Sequence, residues 1–243
     1  MPPVLAAAAV AAGAALQSAA GFGFSLTAAP LLFAAAGPEH AVGLLIVLGT
    51  LVNVLTLATE RRRPRPLGGE AARLVAWAAP GALAGVAVLR ALDAVALQLA
   101  VSAGVLATLA ARHVAAGRRP RWALPLAGLA AGGLTTSTTT AGPPLLVYLL
   151  GRGLAPERVR DTLTVTFLGL GAIGAAALVA TRTRAAAPDA AWLAVLVPLV
   201  LAGHLAGRPI FARLAGEDRY EPVLTVVLLA AVAGGLASAL AEG

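Results

Sequence analysis

The sequence predicts an all-α, polytopic membrane protein built from two inverted repeats. Each repeat is a broken-helix re-entrant hairpin followed by three transmembrane helices. Three observations predict it: the apolar composition, two apolar segments of awkward length, and the placement of the arginines. Of the 243 residues, 59% are hydrophobic and only 12% are charged, where a soluble domain carries about 25%. Mean hydropathy is +0.87. The longest polar stretches leave no room for a soluble domain of useful size.

Six stretches have the length and apolarity to cross a hydrocarbon core of ~30 Å as single helices: residues 41–59, 71–89, 94–111, 162–181, 190–207 and 222–240. Two others, 4–36 and 122–150, are too long for one crossing and too short for two with a turn. Both carry turn residues near the middle, "AAGFGFSLTAAP" in the first and "TTSTTTAGPP" in the second. A hairpin that dips into the membrane and returns satisfies both constraints. Repeat one then covers residues 1–118 and repeat two covers 119–243.

The basic residues test this topology. All eighteen are arginine. If each hairpin enters and leaves on one side, Arg61, Arg62, Arg63, Arg65, Arg112, Arg118, Arg119, Arg121, Arg152, Arg158, Arg160, Arg208, Arg213 and Arg219 share a face. Arg73 lies near it, and Arg90, Arg182 and Arg184 fall on the other. If each hairpin were one crossing, the arginines would divide almost evenly. The rule that cytoplasmic loops are positive favours the hairpins and places both termini outside. The halves also echo each other: Gly37–Glu39 matches Ala155–Glu157, and Ala84–Gly85 matches Ala202–Gly203, at one offset. Three crossings per half make the second half inverted, a plan used by secondary transporters, with the substrate at the midplane.

In lipid, backbone groups freed by a helix break must be satisfied by protein or by a watery cavity. Gly21 and Gly23 permit a tight turn, and Pro30, Pro143 and Pro144 suit first turns. A short helix after each break aims its free N–H groups at the membrane centre. Ser25, Thr27, Thr135, Thr136, Ser137, Thr138, Thr139 and Thr140 add neutral hydroxyls, although such residues also bond to their own helix. The expected site is one for a small anion, made from Gln17, Gly21, Phe22, Gly23, Phe24, Ser25, Thr27, Asn53, residues 135–140, Gly142 and Pro143. Phe22 and Phe24 fit a gate or plain packing. Gln17 and Asn53, the latter the single Asn, fit ligand contacts or helix–helix glue. At the same offset as the other matches, Asn53 corresponds to Gly171.

Other classes find little support. With no cysteine there is no disulfide or thiol chemistry, and there is no metal-ligand spacing or paired carboxylates. "GFGFS" has a serine without a base partner, so no enzyme and no cofactor is expected. The arginines lie in loops, which argues against nucleic acid. The first residues resemble a signal peptide but lack a positive start and are read as mature protein. Glu39 and Glu157 suit helix starts. His40, His113 and His204 suit span ends, His204 with a proton relay as the other option.

"QSAAGFGFSLTAAPLLF", "GPEHAVGLLIVLGTLVNVL", "AGGLTTSTTTAGPPLLVYLL" and "LAPERVRDTLTVTF" together resemble the TauE/SafE sulfite-exporter family, also called TSUP, over nearly the whole chain. The resemblance implies transport of small sulfur-containing anions across the cytoplasmic membrane. It maps the family's two glycine/proline motifs onto residues 21–30 and 132–144. The partners expected are that anion and the lipid bilayer. A coupling ion, H+ or Na+, and a homodimer are left open. A passive anion channel and a non-transporting membrane subunit are the competing readings.

Overall fold

A computed structural model describes residues 3–60, 62–93, 95–97, 99–100, 102–103, 106, 121–214 and 226. It is helical, with no strand among the described residues. Helix α1 is Pro3–Ala20, α2 Phe24–Ala36, α3 Pro38–Thr59, α4 Gly68–Ala91, α5 Ala123–Ser137, α6 Gly142–Leu150, α7 Pro156–Ala180 and α8 Ala190–Leu214. A turn of 3-10 helix, Arg184–Ala186, follows α7. Helices α3, α4, α7 and α8 are long and apolar enough to cross a membrane. They contain the expected spans 41–59 and 71–89 whole, and 162–181 and 190–207 to within one residue. The expected spans 94–111 and 222–240 lie largely outside the described residues.

The two awkward segments are each broken in two. α1 ends at Ala20, and Gly21 (φ 86°) and Gly23 (φ 109°) turn the chain through the left-handed region, which glycine enters without steric cost. α2 then runs back along α1, so closely that a Cβ at Gly13 would lie 2.6 Å from the Phe24 carbonyl oxygen. α5 ends at Ser137, and α6 restarts at Gly142 with Pro143 and Pro144 in its first turn. The legs are unequal: α1 has 18 residues and α2 13, α5 15 and α6 nine. Pro30 departs from the expectation of a first-turn proline. It is the seventh residue of α2 and removes one helical hydrogen bond, a loss that membrane helices tolerate. α3 and α7 start alike, at Pro38-Glu39 and Pro156-Glu157, with the carboxylate in the first turn where the helix dipole favours it.

Glycine sets how the helices pack. Gly81 and Gly85 of α4 face Gly133 of α5, and Gly128 and Gly132 of α5 face Leu74, Trp77 and Ala78 of α4. A Cβ at Gly81 would overlap the Leu129 carbonyl, one at Gly85 the Gly133 carbonyl, and one at Gly132 the Ala78 carbonyl. Gly203 and Gly207 of α8 meet the carbonyls of Ala11 and Ala15 of α1 in the same way. All of these contacts follow a small-xxx-small spacing. In lipid, where burying apolar surface adds little drive between helices, such close approach is a main source of packing energy. Thus α1 lies against α8, and α5 lies against α4. One apolar cluster centres on α1, α2, α3 and α8, the other on α4 to α7. The first break joins them, with Phe22 in the second cluster and Phe24 in the first, and Ala141 of the second break lies in the second cluster.

Candidate functional site

A small cavity of about 60 Å³ lies between the two breaks, against the middle of α3 and α7. Its wall comprises Gln17, Gly23, Phe24, Ser25 and Leu26 at the first break and Thr135, Thr139, Thr140, Ala141 and Gly142 at the second. Leu45, Ile46, Gly49, Thr50 and Asn53 come from α3, and Phe167, Leu170 and Gly171 from α7. The volume suits a small ion or a few waters and is far below that of pockets for drug-sized ligands. No charged residue is on the wall among the described residues. Both half-helices, α2 and α6, begin there, so two helix N-termini with their partial positive charge converge on an uncharged space.

A chain of amides stiffens the wall. Asn53 Nδ2 donates to the Gly49 carbonyl at 2.8 Å, Gln17 Nε2 donates to Asn53 Oδ1 at 2.9 Å, and the Phe24 N–H donates to Gln17 Oε1 at 3.2 Å. Each amide nitrogen carries two hydrogens, so Gln17 and Asn53 each retain one beyond these bonds. Gln17 thereby ties the end of α1 to the start of α2 and to α3. The amides link helices and also line the cavity.

Nine of the expected site residues reach the wall: Gln17, Gly23, Phe24, Ser25, Asn53, Thr135, Thr139, Thr140 and Gly142. The other seven are placed behind it. Gly21 abuts Arg160, whose Cγ would lie 2.9 Å from a Cβ there. Phe22 is fully buried and packs next to Gly142. The Thr27 hydroxyl donates to the Gly23 carbonyl at 3.1 Å. Thr136 Oγ1 donates across to the Ala82 carbonyl of α4 at 2.7 Å. Ser137 and Thr138 donate back to Gly133 and Leu134 at 2.8 and 3.2 Å, and Pro143 is buried in the first turn of α6. The six-hydroxyl run is therefore divided. Helical turning sends some hydroxyls to the wall and others to neighbouring backbone. On the wall itself Thr135 donates to Ala131 and Thr139 to the Thr138 carbonyl, while Ser25 has no protein partner among the described residues.

Thr139 has φ 58°, a conformation that β-branched residues rarely adopt. Such positions store about 1–3 kcal/mol and persist where the surroundings impose them. Thr139→Gly is expected to stabilise the fold by about 1 kcal/mol in thermal unfolding. An unchanged or lowered stability would mean that the Thr139 contacts outweigh the strain.

Several wall and network residues were not singled out from sequence. Gly49 and Thr50 sit on the face of α3 that Asn53 marks, one turn back. Gly171, which the internal offset pairs with Asn53, lies on the same wall, and that offset was the available signal. Behind the first break, Arg160 and Asp161 are buried inside α7, although they read as part of an arginine-bearing loop. Arg160 donates to Glu60 at 2.6 Å and to the Ser18 carbonyl at 3.0 Å. Asp161 accepts both Arg62 guanidinium nitrogens at 2.7 and 2.8 Å and the Arg65 N–H at 2.7 Å. The hydrogen bond to Asp161 holds the Arg62 pKa above its ordinary value. His204 is buried against the end of α3, at 1% exposure. Thr59 uses its proton on the Leu55 carbonyl, so His204 Nε2–H donates to Thr59 Oγ1 at 2.9 Å, and Nδ1 accepts from Ser18 Oγ at 2.7 Å. Arg152 pairs with Glu70 at the same end of the bundle.

Long apolar helices and two broken hairpins define a multi-pass membrane protein, with the bilayer as a partner and a small cavity between its breaks. A family model described as "Sulfite exporter TauE/SafE" matches residues 5–235, and the chain belongs to that family. No curated protein and no solved structure matches it.

Proposed function

We propose that the chain is a secondary transporter that exports a small sulfur-containing anion, such as sulfite, a sulfonate or a related oxyanion, across the cytoplasmic membrane. The anion sits in the cavity between the breaks. The observation that carries this reading is the convergence of two half-helix N-termini and two amide side chains on a space without charge. Fixed N–H dipoles suit an anion that must also leave, whereas a buried cation would hold it too tightly. A coupling sodium ion would find carbonyl and hydroxyl oxygens on this wall, and a coupling proton would find no ionisable group there.

The two-repeat, inverted plan is part of this proposal. It is supported by the matching starts of α3 and α7 and by the paired glycine contacts of α4 with α5 and of α8 with α1. Sidedness is supported by the grouping of the charges. Arg90 bonds Thr181 and Thr183 at the end where Arg182 and Arg184 lie, while Arg62, Arg152, Arg160 and Arg208 gather at the other, cytoplasmic end.

The direct test is thermal unfolding of the purified chain with sulfite, sulfate, thiosulfate and organosulfonates. At a hundred times its Kd the preferred anion adds roughly 2.7 kcal/mol of stability, and the same anion is then expected to move against a gradient in proteoliposomes. Stability unchanged across the whole set would remove the anion site. Binding with purely downhill flux would make the protein a channel.

A further inference from the structure

The cavity between the breaks has a neighbour. A second cavity of about 400 Å³ lies between α3, α7 and the loop that follows α7. Its wall is largely apolar, and it also includes Arg182 and Arg184. The two cavities share one wall residue, Ile46. Ile46 is 7% exposed, and its Cδ1 lies 3.2 Å from where a Cβ at Gly174 would be, so the side chain spans from α3 to α7.

The opposite side of the anion cavity is closed quite differently. Directly behind Gly21 stands Arg160, bonded to Glu60 and to the Ser18 carbonyl. Beside it Asp161 is bonded to Arg62 and to the Arg65 backbone. Opening that side requires several charge-assisted bonds to break together. Toward the second cavity the barrier is apolar: Ile46 Cδ1 and the Thr135 methyl both pack against Gly174.

We propose that the second cavity is the outer vestibule of the transport path, with Ile46 as the partition between it and the anion site and Arg182 and Arg184 as the charges that hold anions at its mouth, on release and on the reverse entry alike. This inference rests on the first cavity being the anion site. An apolar constriction blocks an ion when dry and passes it when wetted. Cations at the rim of a low-dielectric cleft raise the local anion concentration and the rate of entry. The conformation is therefore closed to the cytoplasm by charge-assisted bonds and to the outside by an apolar partition, in which Ile46 is the residue that lines both cavities.

The chain has no cysteine, so one introduced thiol can be followed in the intact protein. Val47→Cys places it on the vestibule wall beside Ile46. A maleimide bearing a carboxylate is added to the outer face of proteoliposomes and washed away, and sulfite flux is then measured. The charged reagent is expected to label the thiol and to lower flux at least tenfold. Should the cysteine alone stop flux, Ala175→Cys, on the same wall in α7, replaces it. In a separate variant, Arg182→Gln with Arg184→Gln, the outer KM for sulfite is expected to rise roughly tenfold with kcat nearly unchanged. Labelling by an apolar maleimide but not by the charged one would show a lipid-filled groove and overturn the proposal. Full flux through labelled protein would overturn it as well. In both cases the unmodified chain still binds and moves sulfite, so the anion site survives. An unmodified chain that neither binds nor moves any of the sulfur anions would instead remove the site, and the path with it.

Discussion

Gly132→Leu and Gly203→Leu are each expected to leave almost no folded protein. At Gly132 even a Cβ would overlap the Ala78 carbonyl, and at Gly203 the Ala11 carbonyl. These neighbours are backbone in the middle of helices and cannot rotate away. The pairs α4–α5 and α1–α8 would have to separate, giving up close packing along their length. Overpacking of side chains alone costs about 1–3 kcal/mol. A backbone overlap belongs to the rarer changes that exceed about 4 kcal/mol, comparable to the whole stability of many domains. The measurement is the monodisperse fraction after extraction in mild detergent, with Gly69→Leu for comparison, since nothing lies within 4 Å of a Cβ there. Normal yield of Gly132→Leu protein would mean that the α4–α5 contact is not what the glycines serve.

Gln17→Glu is expected to abolish anion binding while leaving the chain folded. The change keeps the shape and keeps an acceptor for the Phe24 N–H, so the link from α1 to α2 survives, while the bond donated to Asn53 is lost as it is in Gln17→Leu. It places a negative charge on the wall of a space that holds an anion. Two unit charges ~4 Å apart at an effective dielectric of ~20 repel by about 4 kcal/mol, near a thousandfold in Kd. Gln17→Leu removes a donor without adding charge, and a milder loss of roughly 10- to 150-fold is expected. Sulfite titrations at pH 8 measure both. The order of the two variants is diagnostic, because a cavity that held sodium would bind its ion more tightly with glutamate than with glutamine. Tighter sulfite binding to the Gln17→Glu protein would contradict the anion site outright.

The broken hairpins were legible in the sequence because membranes impose length. A 33-residue apolar segment with glycines near its middle has few structures open to it, and Gly21, Gly23, Pro143 and Pro144 mark the breaks to within a few residues. The segments that line the cavity were legible, but not the individual residues. Which hydroxyl of residues 135–140 reaches the wall depends on where α5 ends, and helix ends are set by packing that composition does not reveal. Thr136 and Ser137 are turned to backbone by the last turn of α5, while Thr139 is brought to the wall by its left-handed conformation. The buried charges were the least legible. "RVRDT" looks like a loop by polarity, yet α7 begins before it at Pro156. Only tertiary partners, Glu60 and Arg62 from the segment just after α3, allow Arg160 and Asp161 to be inside. His204 likewise looks like a boundary residue until Ser18 and Thr59 occupy both of its nitrogens.

The packing of α1 on α8 also constrains how the protein is made. Ala11 and Ala15 are synthesised 192 residues before Gly203 and Gly207, which they abut. At about 5–20 residues per second the delay is roughly 10–40 s. Throughout that time the small-residue face of α1 has no native partner and is open to other nascent helices. α5 meets no such wait, because α4 is already inserted when it emerges. Biogenesis is thus ordered: α4 and α5 assemble early, and the first hairpin is locked only when the final helices arrive. Chains truncated before α8 should accordingly be recognised as unfinished by membrane proteases, even though most of their helices are inserted.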